Sequence, residues 1–334
     1  MRVIRHSLRL RSPSLALGRA LLCVVASLVW MTPVSASDFP DRSVTIVVPY
    51  SPGGVTDLYA RAIAARLQER WGQTVLVDNK GGGGTVIGTQ HAARAQPDGY
   101  TLLLTSYGFT SSQVLSKNLP YDPASLTPLI LLGQSYNVLV LNPSVKANTL
   151  PEVIALAKSA PGALKLASSG NGSSPHIGAE FFMALIGADV MHVPYKGTAP
   201  ALNGVFGGQV DGIFDGISAM AHVRAGKLKA IAVTAPQRHP QAPEVPTFRE
   251  LGLDLVSGSW FGFFVPPGTP EPVQRQLFAA LRAAIDDPVT RAQISKGGLR
   301  FTSMDQPQFK AFLADEVRRL RELAGRNGAH LSAD

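Results

Sequence analysis

The sequence predicts an α/β fold made of two units, each a mostly parallel sheet flanked by helices. Short apolar runs with strand character alternate with helix-like runs, which is the pattern of parallel strands joined by crossover helices. The same alternation starts again in the middle of the chain. A chain of 334 residues is also long enough for two domains, each with its own core.

The first unit contains predicted strands with helices between them. The strands are Val44–Val48, Val75–Val77 and Thr101–Thr105, and the helices are Val55–Trp71 and Thr85–Ala95. In the first helix, the spacing of Leu58, Ile63 and Leu67 predicts a face that packs on a core. Gly72 is expected to end that helix, because glycine readily adopts the left-handed conformation of a C-terminal cap.

The second unit repeats this alternation, and a C-terminal third follows it. The predicted elements of the second unit are strand Val138–Leu141, helix Leu150–Ser159, strand Leu164–Ala167, a helix from about Pro175 and a short strand within 207–215. Those of the C-terminal third are strands Lys229–Thr234 and Trp260–Val265 and helices Glu271–Ile285 and Gln306–Arg326.

A glycine turn joins the first strand to the first helix. Pro52, Gly53 and Gly54 separate the two elements, and a second glycine run, 81–84, follows the second strand. The first turn of a helix has backbone N–H groups without intrahelical partners, and the helix dipole favours negative charge there. The sequence therefore predicts a seat for a carboxylate at this junction.

A serine- and glycine-rich loop follows the strand Leu164–Ala167. It reads SSGNGSSPH from Ser168 to His176, with Ser174 fitting a helix N-cap and Pro175 the first helical position. Its hydroxyl and N–H groups can hold an anion, although the same residues can also serve only to cap the helix and turn the chain.

The N-terminus reads as a secretory signal peptide. Arginines precede an apolar run, Ala20–Met31, and cleavage is predicted after Ala36. The run is shorter than the roughly 20 residues that cross a bilayer. The signal would remove five arginines, no acidic residue and the only cysteine, Cys23. The mature chain then carries little net charge and no basic block, which argues against a nucleic-acid partner, and it has no cysteine for a disulfide or a metal site.

Several motifs together resemble one family. In order they read VPYSPGGVTDLYAR, DNKGGGGTVIGTQHAARAQPDGYTLLL, LPYDPASLTPLILLG, VPYKGTAPALNGVFGGQVDGIFD, EVPTFRELGL and FVPPGTPEPV. Their order and spacing resemble the periplasmic receptors of tripartite tricarboxylate transporters, the Bug receptors. The resemblance covers nearly all of the chain beyond the signal segment.

The resemblance implies a two-lobed periplasmic-binding-protein type II fold with the ligand in a cleft between lobes. Residues 37–137 and 259–334 would form one lobe and residues 138–258 the other, with hinges near Gly133–Val138 and Ser257–Phe261. It also implies a periplasmic location, a membrane permease as partner and a small carboxylated ligand. Dicarboxylates, tricarboxylates, acidic amino acids and aromatic acids all fit. No cofactor is expected, and the oligomeric state stays open, with a monomer as the default.

The resemblance also implies the site residues. On one side these are Tyr50, Ser51, Gly53, Gly54 and Asp57. On the other they are Ser168, Ser169, Gly170, Asn171 and His176, with Tyr107, Tyr195, Lys196, Thr198 and Asp215 as further neighbours. The sequence departs from the family pattern at Gly82 and at Thr85-Val86, where relatives more often carry alanine and asparagine.

Two of these residues have alternative roles. Asp57, in the first helical turn, either caps its own helix or pairs with a positively charged ligand group, in which case it would select amino-bearing ligands. His176 is expected to make a polar contact rather than to act as a proton switch, since a helix N-terminus disfavours the imidazolium.

Two other functions stay open at this point. A secreted hydrolase or isomerase could use Ser168, His176 and Asp215, although the chain contains no G-x-S-x-G elbow, Walker A or H-E-x-x-H motif, so an enzyme is not expected. An extracytoplasmic sensor that binds the same ligand and reports to a signalling protein fits every motif. Conversion of the bound compound would identify an enzyme. Unchanged uptake of the ligand after deletion of this protein would identify a sensor.

Overall fold

The computed structural model describes residues 39–327, so the predicted signal peptide and its cleavage site lie outside the described residues. The strands are β1 (Val44–Val48), β2 (Val75–Asn79), β3 (Thr101–Ser106), β4 (Thr127–Leu141), β5 (Lys165–Ser168), β6 (Met191–Pro194), β7 (Gly212–Gly216), β8 (Lys229–Val233), β9 (Gly258–Val265) and β10 (Arg300–Met304). The helices are α1 (Val55–Trp71), α2 (Val86–Ala93), α3 (Gly108–Leu115), α4 (Leu150–Ser159), α5 (Ser174–Ile186), α6 (Thr198–Phe206), α7 (Met220–Arg224), α8 (Glu271–Asp286), α9 (Pro288–Ser295) and α10 (Gln306–Asn327). The mixed α/β fold predicted from the sequence is confirmed.

The strands form one continuous mixed sheet with two halves. In the first half, β1 pairs in parallel with β2 and β3, and β9 pairs antiparallel with β3 and β4. In the second half, β5 pairs in parallel with β6 and β7, and β7 and β8 pair antiparallel with β4. β10 adds to β4 in the first half.

Strand β4 runs through both halves. Its segment 127–136 pairs with β9, and its segment 137–141 pairs with β7. The sequence predicted only the last four of its fifteen residues. The earlier part contains Pro128 and Gly133, and the register with β9 shifts next to both, so the strand lacks the regular alternation on which sequence prediction depends.

Helix α1 tests the predicted C-terminal cap and the predicted buried face. Gly72 ends it at a φ of 64° and donates its N–H to the Gln68 carbonyl, as predicted. Ile63 and Leu67 are fully buried, but the prediction for Leu58 is wrong, because its side chain is 41% exposed. Tyr59 takes the buried place instead, since it lies four residues before Ile63 on the same helix face.

Each half of the sheet has its own apolar core. In the first half Trp260, Phe264 and Phe309 pack with leucines from β3 and β4. In the second half Phe182, Phe214 and Phe248 pack with strand residues such as Leu166. Each large apolar side chain buried in this way contributes about 1.5–3 kcal/mol to stability. Within the described residues, no helix is long and apolar enough to cross a membrane.

Candidate functional site

The first wall of the candidate site is the turn between β1 and α1. Ser51, Gly53 and Gly54 are exposed, and Gly54 is the extended N-cap of α1 without a side-chain cap of its own. The buried carboxylate of Asp57 reaches back, and its Oδ2 accepts the Gly53 N–H at 3.0 Å and the Arg61 Nε–H at 3.0 Å. Burial alone would raise the pKa of Asp57, but the hydrogen bonds from Arg61 and Gly53 lower it below its ordinary value.

The second glycine run lies against this turn. A Cβ atom at Gly81 would stand 3.3 Å from the Ser51 nitrogen, so the two backbones are in close contact. Thr85, at the end of the run, has a φ of 88°, which is strained for a residue with a side chain, and its buried hydroxyl has no partner among the described residues. The sequence did not single out Thr85 as a ligand contact, and nothing local to it announces a positive φ.

Tyr50 ties the first wall to the end of β3. Its hydroxyl lies 2.6 Å from the Ser106 Oγ, and its carbonyl accepts a hydrogen bond from Asn79 Nδ2 at 3.2 Å. Gly108 begins α3 beside it, where a Cβ atom would lie 2.5 Å from Thr85 Cγ2 and 3.1 Å from the Tyr50 hydroxyl. Only glycine therefore allows this close packing of Tyr50, Thr85 and the start of α3.

The second wall is the loop between β5 and α5. The N-cap of α5 is Ser173, whose Oγ accepts the His176 N–H, so the prediction that Ser174 is the cap is wrong by one residue. Ser173 is the extended residue, with φ −70° and ψ 158°, whereas Ser174 is already helical. The Ser168 Oγ accepts the Gly170 N–H at 3.1 Å, and the His176 Nδ1 accepts the Gly172 N–H at 3.0 Å.

Two stacked histidines support this loop from inside the protein. The rings of His176 and His192 lie 4.1 Å apart at 19°, the His192 Nε2 is 2.6 Å from the Ser168 Oγ, and the His176 Nε2 is 3.4 Å from the Glu180 Oε1. Burial, and secondly the neighbouring His176, lowers the pKa of His192 to about 3. Sequence reasoning missed His192, because only the register of β5 with β6 brings it next to Ser168.

The two walls meet. The Ser111 Oγ of α3 donates to the Gly172 carbonyl at 2.7 Å, and the Asn171 carbonyl would lie 4.0 Å from a Cβ atom at Gly84. We call the space bounded by the exposed loops 51–54 and 81–84 and by the loop 169–172 the cleft.

The predicted site residues fall into three groups by exposure. Exposed are Ser51, Gly53, Gly54, Asn171, Lys196 and Thr198, and half-buried are Tyr50, Ser169, Gly170 and Tyr195. Buried are Asp57, Tyr107, Ser168, His176 and Asp215. Burial raises the pKa of Asp215 to about 6, although the Gly216 N–H opposes the shift.

The chemistry of the cleft is that of an anion site without a cationic clamp. Helices α1, α3, α5 and α6 each begin within a few residues of the end of β1, β3, β5 or β6. Their first turns provide backbone N–H groups and the positive ends of helix dipoles, which attract negative charge. The loops add serine hydroxyls and contain no arginine. Among residues 39–327 no cluster of three His, Cys, Asp or Glu side chains could hold a metal.

The contacts of Ser168 and His176 also bear on the hydrolase hypothesis. Ser168 bonds His192, and the two ring nitrogens of His176 face Gly172 and Glu180. The histidine in contact with Ser168 is therefore His192 and not His176, as this hypothesis assumed, and the Ser168 side chain is fully buried.

Comparison with known proteins identifies the family. Residues 59–328 match the model of the tripartite tricarboxylate transporter family receptor. The chain belongs to this family. Protein BugT of Bordetella pertussis is 35% identical over 304 residues, which cover 90% of this chain and 93% of that protein. The members of the family are solute-binding receptors, and membership implies a periplasmic location.

Solved structures agree with this assignment. The periplasmic binding protein BugD is 34% identical, with a TM-score of 0.79, over 87% of this chain and 99% of its own. An R. palustris protein with adipate is 30% identical, with a TM-score of 0.81, over 87% and 98%. MatC from Rhodopseudomonas palustris with bound malate is 32% identical, with a TM-score of 0.77, over 85% and 99%. The predicted two-lobed periplasmic-binding-protein fold is confirmed by these neighbours.

Proposed function

We propose that this receptor captures a small dicarboxylate in the cleft and delivers it to the permease of a tripartite transporter. The observation that carries the proposal is the approach of the glycine-rich loop 81–84, from the first half of the sheet, to the loop 169–172, from the second half. Helix N-termini follow the loop 169–172 and the turn 51–54 that packs against 81–84. Relatives of the same fold hold adipate and malate, which are both dicarboxylates.

One carboxylate of the ligand would lie between the walls. The backbone N–H group of Gly54 would donate from the first wall, and the backbone N–H and hydroxyl of Ser169 from the second, because the N–H groups of Gly53 and Gly170 already donate to Asp57 and Ser168. Hydrogen bonds to a charged group contribute about 1.5–3 kcal/mol each, and a helix N-terminus about 0.3–1 kcal/mol. The buried Asp57, Ser168 and His176 would position these donors rather than touch the ligand, because their polar atoms bond to the loops themselves.

Delivery would depend on closure of one lobe on the other. Residues 37–137 and 259–334 would form the first lobe and residues 138–258 the second, as the family resemblance predicts. Strand β4 runs through both halves near Gly133–Val138, and the chain returns to the first half at Ser257–Phe261, where β9 begins, so a hinge would lie at these two crossings. A ligand shifts this equilibrium only if it binds the closed form more tightly, which requires contacts with both walls.

Thermal unfolding tests whether the protein binds a dicarboxylate. Residues 37–334, unfolded and refolded to remove any bound molecule, are heated with adipate, malate or succinate, and with adipamide as the uncharged control. Ligand at 100 times its dissociation constant adds about 2.7 kcal/mol to the free energy of unfolding. Stabilisation by a dicarboxylate without its conversion, and not by adipamide, is the expected result. Stabilisation by none of the carboxylates would contradict the proposal.

Delivery and export need separate tests. Deletion of the receptor should abolish uptake of the stabilising dicarboxylate, and unchanged uptake would favour the sensor function. Mass spectrometry of the periplasmic protein should give a chain that begins at Ser37, as the proposed signal peptide requires. A chain that retains residues 1–36 would contradict the export proposal.

A further inference from the structure

A cavity of about 70 Å³ is lined by none of the residues 51–54, 81–84 and 169–172 that bound the cleft. Helices α5 and α10 and the crossing strands β4 and β9 contribute its walls. Of the predicted site residues, only Tyr107 lines it. The carboxylate site proposed above therefore does not account for this cavity.

Aromatic rings make up much of its wall. These residues are Tyr107, Tyr136, Phe181, Trp260 and Phe312. Trp260 is fixed by ring contacts, with Phe309 at 5.6 Å and Phe312 at 6.3 Å, both edge to face. Aromatic faces carry a negative quadrupole and attract cations, and rings grouped around a space are the usual way to bind an alkylated ammonium.

A carboxylate completes the wall. The Glu316 side chain is only 14% exposed, and burial raises the pKa of its carboxyl. Tyr107 and Glu316 both line the cavity, and after burial the charge of Glu316 is the next cause that raises the pKa of Tyr107. Arg319 stands beside it, with Nη1 3.1 Å from the Glu316 Oε1 and its guanidinium 5.9 Å from the Phe181 ring. The guanidinium of Arg319 thus already pairs with this carboxylate and contacts one of the aromatic rings.

Two hydrogen-bonding groups of the wall have no partner. The Trp260 Nε1 and the Ser257 Oγ are buried and have no acceptor or donor among the described residues. Trp260 is 1% exposed, and both residues line the cavity. A buried donor without a partner costs about 1–3 kcal/mol, so a group that accepts from the indole N–H offsets this cost.

We propose that this cavity is a second binding site, for a small organic ammonium compound that also carries a hydroxyl or carbonyl oxygen. The ammonium would lie among the rings beside Glu316, and its oxygen would accept from Trp260 Nε1 or Ser257 Oγ. Because β4 and β9 line the cavity at the proposed hinge, binding of the ammonium compound would also affect the movement of the two sheet halves.

Tryptophan fluorescence reports on this site directly. The chain contains three tryptophans, and Trp30 lies in the segment that the signal peptide would remove. In residues 37–334 with Trp71→Phe, Trp260 is therefore the only tryptophan, and it is excited selectively at wavelengths beyond the tyrosine absorption. Choline is the test compound, and 3,3-dimethylbutan-1-ol is its uncharged isostere. We expect a saturable change in Trp260 emission with choline, and at least about tenfold weaker binding of the alcohol.

Variants show whether the cavity itself binds choline. Glu316→Gln should weaken choline binding at least about tenfold, whereas Glu322→Gln, an exposed glutamate on the same helix, should leave it unchanged. Phe312→Leu keeps apolar volume and should weaken it several-fold, which provides a second test if Glu316→Gln folds poorly. Choline binding should also survive saturation of the cleft with a dicarboxylate. No saturable change, equal binding of the alcohol, or full affinity in Glu316→Gln would overturn the proposal.

Discussion

The two walls of the cleft are built differently. The first, at Ser51–Gly54, is exposed, and the side chain that bonds to it directly is Asp57, whose carboxylate also pairs with the half-exposed Arg61. The second, at Ser169–Gly172, rests on the buried Ser168 and His176 and on the half-buried His192.

The first wall is therefore expected to be adaptable and the second to be rigid. The support of the first wall lies partly in water, where an ion pair contributes about 0–1 kcal/mol. The second wall is supported by a largely buried hydrogen-bond network. Loss of one member of this network leaves other buried groups without partners. Changes on the second wall should therefore cost more than equivalent changes on the first.

The largest effect is expected from filling the cleft at the second wall. Ser169→Trp places an indole where the ligand carboxylate would lie, so we expect dicarboxylate binding to weaken about 100-fold, or about 3 kcal/mol. Calorimetric titration measures this change. Ser159→Trp, at the exposed end of α4, is the control and should bind normally. Unchanged affinity in Ser169→Trp would remove this loop from the site.

The next largest effect is a pH dependence of stability that belongs to the second wall. His192 has a pKa of about 3 in the folded protein, whereas an unfolded histidine titrates near 6.5. The unfolded chain therefore binds a proton that the folded protein excludes, so stability is fully present above about pH 6.5 and is lost as the pH falls toward 3. The loss is up to about 1.4 kcal/mol per pH unit, or about 2 kcal/mol between pH 6.5 and 5.

Urea unfolding at several pH values measures this loss. His192→Gln should flatten the decline between about pH 6.5 and 4, and His91→Gln, which changes an exposed histidine, should leave it as it is. An equal decline in His192→Gln and in the unchanged protein would show that His192 is not the group that titrates.

A smaller effect is expected at the contact between the walls. Ser111→Ala removes the hydrogen bond to the Gly172 carbonyl, which contributes about 1 kcal/mol, so dicarboxylate affinity should fall about fivefold. Ser112→Ala is the control, because the Ser112 hydroxyl bonds a carbonyl of its own helix. Small-angle scattering should also give a larger radius of gyration for ligand-free Ser111→Ala. Equal affinity in both variants would mean that this contact does not contribute to closure.

Local signals predicted the first wall better than the second. The glycine turn before α1 and the cap at Gly72 depend on residues close in sequence, so their chemistry is visible in the sequence itself. The Ser168–His192 contact joins residues 24 positions apart and depends on the pairing of β5 with β6, which no local pattern specifies.

The same limit applies to strand β4 and to Thr85. The first part of β4 is a strand because β9 and β10 pair with it, although its own sequence contains proline and glycine. Thr85 adopts a positive φ because α3 packs on it at Gly108, where no side chain intervenes. In both places tertiary packing overrides local preference, and strained positions of this kind are typical of functional sites.

The smallest effect is expected at the support of the first wall. Asp57→Asn keeps an oxygen that can accept the Gly53 N–H and loses only the charge that faces Arg61, whose side chain is 56% exposed. Stability near pH 7 should fall by about 0.5 kcal/mol, measured by urea unfolding. The native pKa of Asp57 is lowered, so its stabilising effect is present above the unfolded value of 3.8 and is lost as the pH falls below that value.

Ligand binding by Asp57→Asn tests the other role considered for Asp57, which is contact with a positively charged group of the ligand. If the carboxylate only caps α1, Asp57→Asn should bind malate and adipate as the unchanged protein does. A selective loss of binding to amino acids, with dicarboxylate binding intact, would place Asp57 in contact with a ligand ammonium group. Its Oδ1, which is buried and has no hydrogen-bond partner among the described residues, is the atom that such a group would meet. Equal binding of every ligand by both proteins would leave backbone N–H groups and the Ser51 hydroxyl as the groups of the first wall that recognise the ligand.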